Sequence, residues 1–264
     1  MTSLTPAYPS RQWVYVRDLL RELVIRNVKI RYKGSILGIF WSLIFAVAQV
    51  RLFALLFRSG LGRDIPNFPA YVFVGILVWG WFSSSLNGCS NAITGNRELV
   101  GRPGFPVGVL PVVTIGTSLI DFLMAFPVLM AFIIFGGSQL TTGLLLLPLI
   151  MILQFLFMQG LGYLLATAQV LFRDTTHLLS VILRLGFFLT PIFYNPERML
   201  PPHYQWIYNL NPMVHVINAY RAVLLYDQLP ALLPVLYVVG LTALLLPLGY
   251  RTFRHARYRF LEEL

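Results

Sequence analysis

The chain has 264 residues, 57% of them hydrophobic and only 11% charged, with a mean hydropathy of +0.72. A soluble domain is roughly a quarter charged, so the length does not translate into soluble domains and the composition is that of an integral membrane protein. The net charge of +10 would suit a nucleic acid only if the cations shared one solvated face; long apolar runs separate them, which excludes that partner.

Residues 1–10 are polar and contain proline, the composition of a loose terminus. Residues 11–31 have the spacing of an amphipathic helix. Trp13, Val16, Leu20, Leu23, Val24 and Ile30 share one face, and Asp18, Arg21, Glu22, Arg26 and Lys29 the other. Such a helix lies in the cytoplasmic interface plane as an anchor and orientation signal. A sharper reading adds a docking surface for a cytoplasmic partner. Lys29, Arg31 and Lys33 then stand directly before an apolar run beginning at Ile36, and Tyr32 and Trp41 suit an interfacial depth. The residues before Ile36 carry seven cations (Arg11, Arg17, Arg21, Arg26, Lys29, Arg31 and Lys33) and no apolar leader segment, so no cleaved signal peptide is expected.

Apolar runs predict six spans, at about 36–57, 69–90, 107–135, 144–170, 178–194 and 231–250. Pro111 and Pro127 are expected to tilt or kink the third, and the fifth is short. With both termini cytoplasmic, fifteen of the 20 Lys and Arg residues fall inside; Arg58, Arg63, Arg198 and Arg221 fall outside, and Arg51 lies within the first span. That asymmetry supports the orientation. Residues 195–229 are too polar to span and too apolar for a free loop. They read as two short re-entrant outer helices, with Pro202 and Pro212 in first turns and Asn211 as an N-cap; a pair lying flat on the outer leaflet is the alternative. The fold class is therefore an all-α integral membrane protein, divided into a tail with interface helix (1–35), a transmembrane domain (36–250) and a basic cytoplasmic tail (251–264).

Chemistry is sparse. Lys29 and Lys33 are the only lysines and neither follows a glycine, so no phosphate-binding GxxxxGK loop exists and the chain hydrolyses no nucleotide by itself. Cys89 is the only cysteine, and His177, His203, His215 and His255 are scattered; no disulfide, metal site or catalytic set is expected. Ionisable groups inside a bilayer are costly and therefore informative. Arg51 and Asp121 both sit about 21–22 Å from the inner ends of their spans at 1.5 Å per residue, a matched height that predicts a buried ion pair; separate snorkelling is the alternative. The aromatics Phe40, Trp41, Phe45, Trp79, Phe82, Phe187, Phe188 and Tyr194 form either lipid-facing belts or a channel lining on which sugar rings stack.

Four stretches resemble one family. RELVIRNVKIRYKGSILGIFW (21–41), WGWFSSSLNGCSNAITGNRELVGRPGFP (79–106), FRDTTHLLSVILRLGFFLTPIFY (172–194) and LNPMVHVINAYRAVLL (210–225) are similar to ABC-2 type polysaccharide export permeases, the membrane subunits of ABC transporters. Gly34 and Pro191 match the usual pattern, whereas Ala46-Val47 stands where members often carry proline. The resemblance implies a bacterial cytoplasmic-membrane homodimer paired with two ATP-binding subunits that bind ATP and Mg. It implies export of an O-antigen, capsular or teichoic-acid-type glycan on a polyprenyl diphosphate. It assigns Asn96, Arg97, Glu98, Leu99, Arg173 and Asp174 to coupling with the ATPase, and Arg26, Lys29, Arg31 and Lys33 to attraction of the diphosphate, cations that positive-inside orientation alone also explains. An ABC-2 exporter of a drug or lipid shares the six-span plan. A non-ATP transporter or polyprenyl-lipid enzyme is a third class, although no internal repeat of the secondary-transporter kind is seen.

Overall fold

The computed structural model describes residues 9–33, 67–136, 142–194 and 205–260, with single helical positions at 44, 47, 48, 51 and 52. Most of the expected span 36–57, with Phe40, Trp41 and Phe45, lies outside the described residues, as does Pro202. Among the described residues every regular element is helical.

Helix α1 (Pro9–Tyr32) is the amphipathic segment. Leu23 is buried in a cluster with Val109, Leu110 and Val113, and Val16, Leu19, Leu20 and Val24 pack beside it. Asp18, Arg21, Glu22, Arg26 and Lys29 are exposed, as expected from their spacing. Ile30 departs from the pattern and is also exposed.

Four described helices are long and apolar enough to cross a bilayer: α2 (Phe68–Ser90), α4 (Val109–Phe135), α5 (Leu147–Leu171) and α9 (Leu232–Ala256). Pro69 of α2 and Pro148 of α5 occupy first-turn positions, where a missing N–H costs no hydrogen bond. Pro111 also falls in the first turn of α4, so of the two expected interruptions only Pro127 lies within the helix. Helix α9 runs past residue 250 to Ala256, so the expected start of a separate tail falls within its last turns.

Helix α2 is the axle. Ala70, Val72, Phe73 and Val74 are wholly buried, and α2 touches α4, α5, α6 (Thr175–Leu189) and α8 (Pro212–Leu225). Helices α5 and α9 form the most extensive pair, and glycine makes it possible. A Cβ at Gly249 would lie 2.3 Å from the Gly160 carbonyl oxygen, and one at Gly160 would lie 2.8 Å from the Leu245 backbone. Small residues at such a crossing let backbones meet where lipid supplies no hydrophobic drive. The outward faces are apolar: Leu149 and Ile152 of α5, and Leu233, Leu236, Leu244 and Leu248 of α9, are all exposed. Contiguous apolar surface of that kind belongs in hydrocarbon, and the chain is a multi-pass membrane protein.

Helix α6 corrects the expected 178–194 run. It starts earlier, at Thr175, because the turn at Arg173-Asp174 ends at Asp174 as N-cap. It stops at Leu189 because Pro191 forces Thr190 into extended backbone (φ −96°, ψ 139°). At 15 residues it covers about 22 Å, short of a full bilayer core.

Candidate functional site

A cleft of about 640 Å³ opens between α2, α4 and α6. Trp79 and Trp81 of α2, Phe122 of α4 and Phe187 and Phe188 of α6 supply its ring-bearing part. Trp79 meets Phe187 edge-on at 6.3 Å, and Phe187 meets Phe188 at 5.4 Å. Gly186 admits this contact, since a Cβ there would press on the Trp79 ring at 3.0 Å. Ser83, Ser84, Asn87, Ser118, Asp121, Ser180 and Arg184 supply the polar part. Trp79, Trp81 and Phe122 are themselves buried behind this wall, so Phe187 and Phe188 present its open ring surface beside short hydroxyl and amide groups, a surface that suits a polar solute carrying rings. Of the expected channel aromatics, Trp79, Phe187 and Phe188 line this cleft. Phe82 does not: it stacks on Phe157 of α5 (6.3 Å, 8° between planes) in the core. Tyr194 lies beyond the end of α6, its hydroxyl donating to the Phe188 carbonyl (3.1 Å). Phe122, Asn87, Ser180 and Arg184 are not among the expected channel residues. Their spacing on α2 and α6 carries a signal: Ser84, Asn87 and Asn91 recur at helical intervals, as do Thr176, Ser180 and Arg184.

The polar stripe leads to the bundle's basic end, where α2 stops and α4 and α6 begin. Ser180 Oγ donates to Asn87 Oδ1 (3.2 Å), and Ser90 and Thr176 join their hydroxyls (3.1 Å). Gln169 of α5 holds the corner before α6. Its Oε1 accepts from both the backbone N–H and the hydroxyl of Thr176 (2.8 Å each), and its Nε2 donates to the Arg173 carbonyl (2.9 Å). The corner leaves Arg173 and Asp174 exposed. Beside α2, the 3-10 turn Thr94–Asn96 runs into α3 (Arg97–Val100). Val100 is buried and Leu99 packs on the cluster that holds Leu23 and Val109, while Arg97 and Glu98 are exposed. Asn96 donates to the Ala92 carbonyl (2.9 Å). The expected coupling residues therefore lie on two exposed corners, each joined to the end of α2.

The expected pair of Arg51 with Asp121 is replaced. Asp121 pairs with Arg31, and the Tyr32 hydroxyl donates to its other oxygen at 2.7 Å; Arg51 is exposed. The physical reason is the course of α1. Instead of lying clear of the bundle, it packs along α4, with Val24 beside Gly116, and its last turn reaches Asp121. The carboxylate side chain remains 23% exposed, so this pair is only partly buried. A groove of about 770 Å³ beside the same turn is lined by Glu22, Ile25, Arg26, Lys29, Ile30, Tyr32 and Lys33. Three of the four expected diphosphate-attracting cations line it, and the fourth, Arg31, holds Asp121.

At the opposite end, α7 (Gln205–Asn209) and α8 form the two short helices expected between the last spans. Asn211 caps α8 through Met213 N–H (3.0 Å) and donates to Thr190 Oγ1 at the end of α6 (2.9 Å). Arg221, counted among the outer-side cations, is only 1% exposed. It donates to the carbonyls of Tyr71 (3.2 Å) and Ile192 (2.9 Å) and lies 3.4 Å over the Tyr71 ring.

Residues 18–225 match the ABC-2 type transporter family. The chain is 33% identical over 255 residues to the O-antigen export system permease protein RfbA of Myxococcus xanthus, covering 96% of this chain and 98% of that protein. It is 29% identical to the protein of the same name from Klebsiella pneumoniae (95% and 96% covered). It is 24% identical to the polysialic acid transport protein KpsM of Escherichia coli (88% and 91% covered).

Proposed function

The chain belongs to the ABC-2 type transporter family, and from that membership we propose that it is the permease subunit of an ATP-driven exporter moving a polysaccharide, carried on a polyprenyl diphosphate, across the bacterial cytoplasmic membrane. The observation that carries the substrate class is the cleft between α2, α4 and α6, with open rings at Phe187 and Phe188 backed by Trp79, and polar groups at Asn87, Ser180 and Arg184. A drug exporter needs a continuous apolar cavity; a glycan needs stacking faces that hold it weakly and polar groups that replace its water. The end-to-end likeness to O-antigen and polysialic acid permeases points the same way.

On this reading the basic end faces the cytoplasm with both termini, and six spans complete the fold. Helix α6 buries Leu179 and Leu183 but exposes Leu178, Ile182, Leu185 and Leu189, a face that a second copy covers to close the path. Two ATP-binding subunits, holding ATP and Mg, dock beneath. Asn96 to Leu99 and Arg173-Asp174 receive their motion, and the hydrogen bonds that Thr176 and Ser180 donate to Gln169 and Asn87 pass it to α6, which borders the cleft. Helices α7 and α8 close the outer exit. Arg26, Lys29 and Lys33 draw the diphosphate to the inner mouth.

Purification of the tagged chain from membranes tests the assembly. Two copies with two ATP-binding subunits, and lipid-linked glycan retained on the inner side when the chain is deleted, are expected. A chain that purifies without an ATP-binding subunit and whose deletion leaves surface glycan unchanged would refute the reading.

A further inference from the structure

Tyr32 belongs to two places at once. It lines the basic groove with Arg26, Lys29 and Lys33, and its hydroxyl holds Asp121, which lines the ring-bearing cleft. Its neighbour Arg31 pairs with the same carboxylate. The two spaces, about 770 and 640 Å³, are linked through this contact, Tyr32 lining the first and Asp121 the second. Among the described residues the groove carries three cations against one acid, Glu22, so it attracts anions; the described cleft wall carries one acid and one cation, Asp121 and Arg184. An anion moving from groove to cleft therefore reaches Arg31 where Arg31 is committed to a carboxylate.

We propose that Arg31 is the residue that reads the diphosphate of the lipid carrier, and that Asp121 holds it in place until the diphosphate displaces the carboxylate. The idea rests on the export reading above and adds a threshold to it. Guanidinium binds phosphate through two parallel N–H···O bonds, and a diphosphate brings more charge and more acceptor oxygens than one carboxylate. Arg31 is 46% exposed at its side chain and stands between Ile30 and Tyr32, which line the groove, so an anion can reach it without unfolding. Exchange frees the end of α1 from α4 and opens the groove to the cleft. A monophosphate, with less charge and one phosphoryl group, competes less well. The contact thus sets specificity for the diphosphate-linked carrier and keeps the cleft shut without it.

Cross-linking of the complete complex with its ATP-binding subunits tests this. Val24 lies against Gly116, 3.5 Å from a Cβ built there, so Val24→Cys with Gly116→Cys, in a Cys89→Ala background, reports whether α1 rests on α4 while leaving Arg31 and Asp121 intact. A polyprenyl diphosphate, with no nucleotide present, should lower the disulfide yield by about fivefold or more, and the matching monophosphate should not. Asp121→Asn should give the low yield without any lipid. The exchanged pair, Arg31→Asp with Asp121→Arg, should restore the yield and abolish its response to the diphosphate. A yield indifferent to a diphosphate that does stimulate ATP hydrolysis would overturn the threshold and leave the export reading standing. A diphosphate that changes neither yield nor hydrolysis would overturn both.

Discussion

Gln169 and Thr176 clasp each other across the corner between α5 and α6. One amide oxygen takes both the backbone N–H and the hydroxyl of Thr176, at 2.8 Å each. The clasp makes Arg173-Asp174 a fixed corner rather than a loose loop, because the same Gln169 side chain also donates to the Arg173 carbonyl. A fixed corner can pass a push from a docked subunit to α6; a loose one absorbs it.

Replacing Gln169 with Leu should therefore cost about 0.5–1.5 kcal/mol, since it removes the hydrogen bonds to a partly buried N–H and carbonyl. Substrate-stimulated ATP hydrolysis should fall more than the basal rate does. Thr176→Val removes the hydroxyl but not the N–H, and should cost less. Thermal unfolding in detergent, alongside hydrolysis with and without lipid-linked glycan, measures both.

The corner beside α2 makes a separate test. Arg97→Ala with Glu98→Ala should leave the fold intact, because both side chains are exposed, and should weaken glycan-dependent ATP hydrolysis and export together. Unchanged export with unchanged stimulation would remove α3 from the coupling surface.

The α5–α9 crossing depends on having no side chain at Gly249. Gly249→Ala places a Cβ 2.3 Å from the Gly160 carbonyl and should destabilise by about 1–3 kcal/mol through overpacking. Gly240→Ala, on the same helix α9 with nothing within 4 Å of its Cβ, should be neutral or slightly stabilising. A thermal melt of the two variants side by side decides it.

Arg221 pins α8 to α2 from within. Arg221→Ala leaves two carbonyls without their donor and removes the partner of the Tyr71 ring, and should lower stability by about 3 kcal/mol or more. Arg221→Lys should rescue little, since a single nitrogen of Arg221 donates to both carbonyls while the flat guanidinium lies over the Tyr71 ring, and a compact ammonium lacks that plane. Full rescue by Lys, in melting temperature and export, would show that charge alone matters there.

The sequence makes some of this readable and some not. The run from Phe68 to Ser90 is apolar enough to mark α2 almost to the residue, and Asn211-Pro212 marks the start of α8 because cap and first-turn chemistry are local. Local rules also explain the misplaced α6, where the Arg173-Asp174 turn and the residue before Pro191 outweighed apolar content. The partner of Asp121 was not legible. A helical wheel for α1 shows a basic face but not that its last turn climbs along α4. Phe82 and Trp81 are buried neighbours, and only packing decides that Phe82 stacks on Phe157 while Trp81 packs against Phe122 behind the cleft. Arg221 left one trace, a lone cation inside the apolar run VINAYRAVLL.

The most direct measurement is transport in sealed vesicles containing this chain and its ATP-binding partner, loaded with a lipid-linked polysaccharide on the nucleotide side. Appearance of the glycan on the far side only with ATP, only with both proteins, and lost with Trp79→Ala and Phe187→Ala together while nucleotide binding persists, is the expected result. Movement of the glycan by this chain alone, or without ATP, would contradict it.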